Sequence, residues 1–539
     1  MRRELSRLAD ETFDLLIVGG GVTGAAIARD AALRGLSVAL IEKNDFAHAT
    51  SSANSKLIHG GLRYLRNFEL GLVREALRER RFWQRIAPHQ VRPLPFLLPL
   101  RDKRAKPMLG LGLTLYDLLA YDRGGLADPE QRLPGHRWLD AAAAIAREPA
   151  VESPGLTGAF LYYDCQMYAP ERLALEMLVD AADHGAALAN YVEAEKFLLH
   201  DGRIEGASVR ERFTDARFDV RAKLTVNASG PWADIFLGRA LGRPSEHKLL
   251  RSKGIHIVTP AITRDSALAI GANGGHFFVL PWRGRSLIGT TDTAYTGAPD
   301  AVGVTQEDVD AFLATVNKGV PNAKLTRDSV RHFYAGLRPL VDDGESGTYN
   351  ASRRSELVDH ARNESIEGLV SAIGGKWTSS RHLAEKAVDA AVAKLGAKSR
   401  ACVTQREALP GGRMGFLSEF LSALRRERPK LAAPEHLGRL YGARIPRVLS
   451  LANEAGLDAL GPTGDVPAQI LFAAREEMAM TLDDAVMRRT GLGQLGDPGA
   501  GALEAAAAIM ASELGWNARR TSAEIEKVRA RFRLSEGAA

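Results

Sequence analysis

Gly19-Gly20-Gly21-Val22-Thr23-Gly24 follows a short apolar run and opens a stretch of helical periodicity. That arrangement delivers free backbone N–H groups and the positive end of a helix dipole to a pyrophosphate. Each glycine has its own task. Gly19 permits the tight turn, Gly21 lets the backbone approach the phosphates, and Gly24 lets helix and strand pack closely. Glu42 ends the next apolar run, 18 residues beyond Gly24, where a carboxylate accepts hydrogen bonds from a ribose diol. After it comes a small, hydroxyl-rich segment, Ala49-Thr50-Ser51-Ser52-Ala53-Asn54-Ser55-Lys56-Leu57-Ile58-His59-Gly60-Gly61. Its backbone amides suit the length of a dinucleotide. The chain therefore predicts a bound dinucleotide, with NAD or FAD still to be decided.

The elements that must hold these residues are legible nearby. Phe13–Val18 reads as a buried parallel strand, residues 22–35 as a helix closed by Gly35, and Ser37–Glu42 as the next strand. This βαβ unit sets the class as α/β. The middle, about 150–375, carries strand-like alternation, as in Leu224–Asn227, Ile255–Thr259, His276–Leu280 and Ser286–Gly289. From Leu409-Pro410-Gly411-Gly412 onward the texture is Ala-, Leu-, Glu- and Arg-rich, with helical periodicity in 416–427, 466–489 and 502–533. An all-helical C-terminal domain from about residue 406 is expected.

Composition narrows the classes further. The 539 residues are 45% hydrophobic and 25% charged, which excludes collagen-like and disordered chains. Two cysteines, Cys165 and Cys402, are too few for a disulfide framework, a zinc site or an iron–sulfur cluster, so no metal is expected. The net charge of +6 suits a small anionic substrate or an anionic membrane surface. No aromatic–basic repeat points to nucleic acid. There is no uncharged apolar stretch long enough to span a bilayer, and the first residues do not read as a signal peptide.

With these blocks in view the sequence resembles the FAD-dependent, aerobic glycerol-3-phosphate dehydrogenases, which belong to the D-amino-acid-oxidase-like flavoproteins. The resemblance is carried by Gly19–Gly24 with Glu42, by Thr50–Tyr64, and by Asn227-Ala228-Ser229-Gly230-Pro231-Trp232. It continues through Lys253–Val258, Gly289-Thr290-Thr291-Asp292, Gly336-Leu337-Arg338-Pro339-Leu340, Gly374-Gly375-Lys376-Trp377-Thr378 and Leu482–Thr490. It covers about residues 13–493. Ser379-Ser380 departs from the Thr-Tyr common at that place, so no tyrosine contact is carried over.

The resemblance implies a Rossmann-like FAD-binding domain, a mixed-sheet substrate domain and a helical C-terminal domain. FAD-binding segments are expected at roughly 12–95, 160–250 and 365–400, substrate-binding segments at roughly 96–159 and 251–364, and the helical domain at 406–539. FAD is expected to lie against Gly19, Gly21, Gly24, Glu42, Thr50, Ser51, Ser52, Ser55, Lys56, Leu57, His59, Gly60 and Gly61. Ala228, Gly230, Trp232, Thr291, Asp292, Gly374, Gly375, Lys376, Trp377 and Thr378 complete that set. Glycerol 3-phosphate carries about two negative charges, and its oxidation needs fixed cations at the phosphate and a base at the carbinol. Arg63, Arg338 and Lys376 are implied to be those cations. His256 is the first choice for the base, His59 its rival, and Tyr64 a partner for a substrate hydroxyl.

Reduced FAD must then unload two electrons. With no iron–sulfur relay the acceptor must diffuse to it, and the family implies ubiquinone or menaquinone in a bilayer. The enzyme is accordingly expected to be cytoplasmic and peripheral on the inner face of the membrane. A homodimer is common in the family. Residues 74–106 hold ten Lys/Arg against three Asp/Glu among apolar residues, followed by the apolar Pro107–Tyr116, a candidate docking surface. The nearest alternative is an oxidase that passes electrons to oxygen. Farther off stand an amino-acid or sarcosine oxidase of the same fold and a non-catalytic binding protein that has lost the flavin.

Overall fold

The computed structural model describes residues 1–245, 248–272, 275–341 and 355–534. Two sheets dominate. The first runs in the order Ser355–Asp359, Leu369–Gly374, Arg217–Asn227, Thr12–Val18, Val38–Glu42, Ala187–Asn190. Its centre is parallel, with Leu15 opposite both Leu224 and Val38. The antiparallel strands Val192–His200 and Arg203–Glu211 extend it beside Arg217–Asn227. Leu15 and Ile17 enter one core cluster, while Leu16 and Val18 enter another on the opposite face. Burial on both faces explains why this strand is a continuous apolar run rather than an alternating one.

Helix Val22–Leu33 packs with Pro170–Asp183 and Ser380–Leu395 on the first of these faces. It ends at Arg34, and Gly35 follows with φ +89°, a conformation that favours glycine. Gly24 sits where the helix presses on the strand. A Cβ there would stand 1.9 Å from the Gly19 carbonyl oxygen.

The second sheet contains Leu57–Ile58, Val91–Leu100, Arg137–Asp140, Gly158–Met167 and, from the later chain, Leu249–Pro260, Ala267–Ala272, Gly275–Trp282, Arg285–Gly289, Thr293–Ala294 and His332–Val341. The layers therefore interleave along the chain. Val91–Leu100 and Gly158–Met167 lie in this second sheet, so the chain enters this layer before the expected boundary at 95/96 and leaves it after the one at 159/160. The expected segment 251–364 also contributes Ser355–Asp359 to the first sheet, and its residues 342–354 lie outside the described residues.

After Leu395 the described residues form helices and no strand. The run 466–489 is broken: helix Pro467–Glu476 ends, and a short turn Leu482–Asp484 leads into a wider π-type turn, Ala485–Arg489. Likewise 502–533 divides into Ala500–Leu514 and Ala518–Ala530 at Gly515, whose φ is +67°.

Replacing Gly24 by Ala drives a methyl group into the Gly19 carbonyl and forces helix and strand apart. The expected loss of stability is about 1–3 kcal/mol, as for other overpacked sites. A drop in the urea midpoint, measured with and without added FAD, checks it.

Candidate active site

One cavity of about 1250 Å³ runs from the glycine turn to the second sheet. At its first end Gly19, Gly21, Val22 and Thr23 meet Glu42, Lys43, Asn44 and His48. The Glu42 carboxylate accepts from the Gly20 N–H at 2.7 Å and from the Asn44 N–H at 2.8 Å, which ties the glycine turn to the following loop. Burial pushes the Glu42 carboxyl up, against the pull of those two amides. The Ser51 hydroxyl accepts from the Val22 N–H at 2.8 Å, and the Trp377 indole donates to the Ser51 carbonyl at 3.0 Å. On the far wall Lys43 covers the Trp232 ring at 4.4 Å, and Asp300 holds both side chains.

The inner end has two walls. The second sheet forms one. Strand register sets Ser252 opposite Arg338, Gly254 opposite Gly336 and His256 opposite Tyr334. Arg338 donates to the Ser252 hydroxyl at 2.9 Å, the Thr290 hydroxyl at 2.7 Å and the Thr291 carbonyl at 3.0 Å, with an Asp292 oxygen at 3.9 Å. Glycines make the room: a Cβ on Gly254 would collide with the Arg338 guanidinium, and one on Gly289 with the His256 ring. His256 stacks on Tyr334 with ring centroids 5.0 Å apart, and its Nε2 lies 2.9 Å from the Ser55 hydroxyl. Its Nδ1 is buried without a hydrogen bond.

The other wall is the segment His59–Tyr64 with Gly374–Thr378. The His59 N–H donates to the Thr378 hydroxyl at 3.1 Å. Lys376 Nζ lies 3.7 Å from the centre of the Tyr64 ring, and the Arg63 guanidinium 5.0 Å from the same ring. The Lys376 ammonium is buried against that ring; burial lowers its pKa and Tyr64 partly offsets that. The His59 imidazole is pushed down to about 3, first by burial, then by Lys376 and Arg63. His256 is also held well below the usual histidine range, first by burial, then by Arg338 and Lys56. Both rings are neutral at physiological pH.

Elsewhere this protein pairs its buried arginines with carboxylates, as in Arg29–Asp180, Arg172–Glu477 and Arg381–Glu79. At the cavity the closest contacts are neutral. Arg338 rests on hydroxyls and a carbonyl, with the Asp292 carboxylate farther off at 3.9 Å, and Lys376 rests on an aromatic face.

Similarity to known proteins fits this geometry. Residues 14–381 match the family described as FAD dependent oxidoreductase, and residues 402–521 match the C-terminal domain of alpha-glycerophosphate oxidase. The chain belongs to the FAD-dependent oxidoreductases. It is 36% identical to a glycerol-3-phosphate dehydrogenase from Synechocystis sp., over 97% of each chain. It is 37% identical to an alpha-glycerophosphate oxidase from Streptococcus pyogenes, over 72% of this chain and 63% of that one. Among solved structures, the glycerol-3-phosphate dehydrogenase from Bacillus halodurans complexed with FAD superposes with a TM-score of 0.76 at 28% identity, covering 98% of this chain and 96% of that one.

The cofactor is FAD, and the residues present fit it. The cavity exceeds the roughly 300–1,000 Å³ of a drug-sized site, room for an extended dinucleotide and a small substrate. Of the residues singled out in the sequence, Gly19, Gly21, Glu42, Thr50, Ser51, Ser55, Leu57, His59, Gly61, Arg63 and Tyr64 line it. So do Ala228, Gly230, Trp232, His256, Thr291, Asp292, Arg338 and Gly374 to Thr378. Four fall outside the lining. Gly24 is consumed by helix packing. The Ser52 hydroxyl donates back to the Ala49 carbonyl at 3.1 Å. Gly60 is enclosed by Leu77 and Tyr116, and its N–H donates to Tyr116 and Asp164. Lys56 points behind the site, 3.6 Å from Glu171 and over the Trp282 ring at 4.7 Å. Its backbone is in the left-handed region, with φ +54°.

Sequence reasoning missed Ser252, Thr290 and Tyr334, which seat Arg338 and His256. A signal existed, since Gly254 and Gly289 mark where side chains cross the sheet face and Gly336 where the Ala53 backbone approaches it.

His59, His256 and the buried His332, also pushed down to about 3 by burial and then by Lys56 and Arg531, stay neutral in the folded protein. Their folded values lie below the unfolded value near 6.5. On acidification the unfolded chain protonates first, so stability falls below about pH 6.5. The slope is roughly 1.4 kcal/mol per pH unit for each such imidazole until its folded value is reached. Asp484, raised by burial beside Asp45, works in the opposite sense. Urea midpoints across pH 7.5–5 should show the fall, and His332→Gln should make it shallower by about one proton.

Proposed function

We propose that this chain oxidises sn-glycerol 3-phosphate to dihydroxyacetone phosphate and delivers the electrons to a membrane quinone. The observation that carries the first part is the set of cations, Arg338, Lys376 and Arg63, that line one cavity, with Arg338 seated by the Ser252 and Thr290 hydroxyls and Lys376 on the Tyr64 ring. A phosphate dianion matches a cavity lined by three cations, and planar-fork recognition by arginine adds orientation. Names of relatives support the same substrate. Bound FAD supplies the two-electron acceptor.

Each side chain then has a task. Arg338, fixed by Ser252 and Thr290, holds the phosphate without rotating. Tyr64 keeps Lys376 over its ring and presents its hydroxyl edge to the polyol. For the proton we assign His59 rather than His256. The Nε2 of His256 is taken by Ser55 and its Nδ1 is sealed, whereas the neutral His59 ring sits beside Lys376 and Arg63 with no hydrogen bond to another described residue. A dianion entering between these cations raises the His59 pKa, so the ring accepts the carbinol proton at the moment it becomes acidic. His256 serves as the wall that Ser55 and Tyr334 hold in place.

The surface supports the quinone reading over the oxidase reading. Helix Leu70–Ile86 turns Leu77, Trp83 and Ile86 inward, and Val91–Leu100 lies inside a sheet, so most of 74–100 cannot reach a membrane. The apolar surface lies instead on Ala105–Leu119 and just before Leu70. Phe68 is 84% exposed, Met108 73%, Leu111 72% and Leu118 65%. Phe68, Met108, Leu109, Leu111 and Leu115 also line the cavity mouth. Arg101, Lys103, Arg104 and Lys106 stand exposed at the start of that helix. A contiguous apolar patch rimmed by cations suits an anionic lipid surface, and it opens where a lipid-soluble acceptor would enter. No helix among the described residues is long and apolar enough to cross a membrane.

Arg338→Ala should lower kcat/KM for glycerol 3-phosphate by at least a hundredfold and leave the flavin bound; equal turnover of glycerol and glycerol 3-phosphate by the wild type would overturn the substrate assignment. His59→Gln should lose roughly 10²–10⁴ in kcat, with a smaller loss for His256→Gln; the reverse order returns the proton to His256. Met108→Ser with Leu111→Ser should abolish sedimentation with anionic liposomes and quinone reduction while dye reduction persists. Stoichiometric peroxide without any need for quinone would favour the oxidase.

A further inference from the structure

The block Leu482–Thr490 touches neither the cavity nor the substrate groups, yet it is packed with charge. Its π-type turn places Arg488 and Arg489 side by side, and both reach Asp45 in the FAD-binding module. Arg489 grips the Asp45 carboxylate with two prongs, at 2.8 and 2.6 Å, and Arg488 adds a third contact at 2.6 Å. Asn190 donates to the same carboxylate at 3.0 Å. On the far side Arg488 is braced by Asp483 and Asp484, each at 2.8 Å. Asp45, Arg488 and Arg489 are all essentially shut off from solvent.

Asp45 is three residues past Glu42, in the loop whose Lys43, Asn44 and His48 line the cavity. That loop is coupled to the glycine turn. The Ala47 N–H donates to the Gly20 carbonyl at 3.0 Å, and Phe46 and Glu42 close on Gly20 so tightly that a Cβ there would collide with both. A pull on Asp45 is therefore a pull on the Glu42–Gly20 contact.

We propose that the helical C-terminal domain is a clamp for FAD: through Arg488 and Arg489 it holds Asp45, and with it the loop 43–48, in the shape that retains the dinucleotide. Arg488 and Arg489 act through Asp45 and so are positioning residues. The clamp is reciprocal, since whatever fixes the loop also stabilises the contact between the two parts of the chain. It concerns the cofactor and is independent of which substrate the enzyme uses.

The test measures flavin affinity directly, by titrating apoprotein with FAD and following fluorescence quenching. Arg489→Lys keeps the charge and loses the two-pronged grip; it should raise the Kd for FAD at least tenfold while the KM for glycerol 3-phosphate at saturating FAD stays within twofold. Asp45→Asn should do the same, and the double variant should be no weaker than the worse single one, because both remove one contact. A Kd within twofold of wild type, even with a lower Tm of the apoprotein, overturns the clamp and leaves these residues as interdomain glue; additive losses in the double variant overturn it as well. Should Asp45→Asn fail to fold, Arg488→Lys with Arg489→Lys carries the same comparison.

Discussion

Positive charge gathered at one cavity is the constraint around which the active site is arranged. Lys376, Arg63 and Arg338 line a shared, partly dehydrated space. That is costly for any fold, and the closest contacts that seat Arg338 and Lys376 are neutral ones. The hydroxyls of Ser252 and Thr290 and the carbonyl of Thr291 orient Arg338, and the face of Tyr64 supports Lys376. Everything that positions these groups follows: the register that sets Ser252 against Arg338, and the glycines that let the guanidinium cross the sheet.

The same electrostatics governs the histidines. Burial among cations keeps His59 and His256 neutral. One turn behind His59 the logic inverts. Arg80 is paired with Asp164, whose carboxylate also receives the Tyr116 hydroxyl and the Gly60 N–H. That network spends its charge on geometry, fixing the turn that carries His59, Arg63 and Tyr64.

The helical C-terminal part extends this economy to the cofactor. Its buried ion cluster meets the loop after Glu42 rather than the catalytic wall. The flavin module and the helical domain therefore share one charged seam, and the short π-type turn exists where two successive arginines must point the same way.

How far the sequence alone reaches is clearest at particular residues. The glycine turn, Glu42 and the opening βαβ unit were legible because each follows from contacts within about thirty residues of chain, where spacing dictates geometry. The cations of separate blocks were nameable from their resemblance to a family, and the cavity gathers them. What the sequence could not decide depends on contacts between distant segments. Lys56 sits in the right block but a left-handed backbone turns it toward Glu171. Of the expected docking stretch 74–116, packing buried Leu77, Trp83, Ile86, Phe96 and Leu97 and left Met108 and Leu111 outside. The proposal of His59 over His256 as base rests on a contact between residues far apart in the chain, the Ser55 hydroxyl 2.9 Å from His256 Nε2. Local periodicity records which elements form; only the packed chain records which side chains have spent their hydrogen bonds and charge on one another.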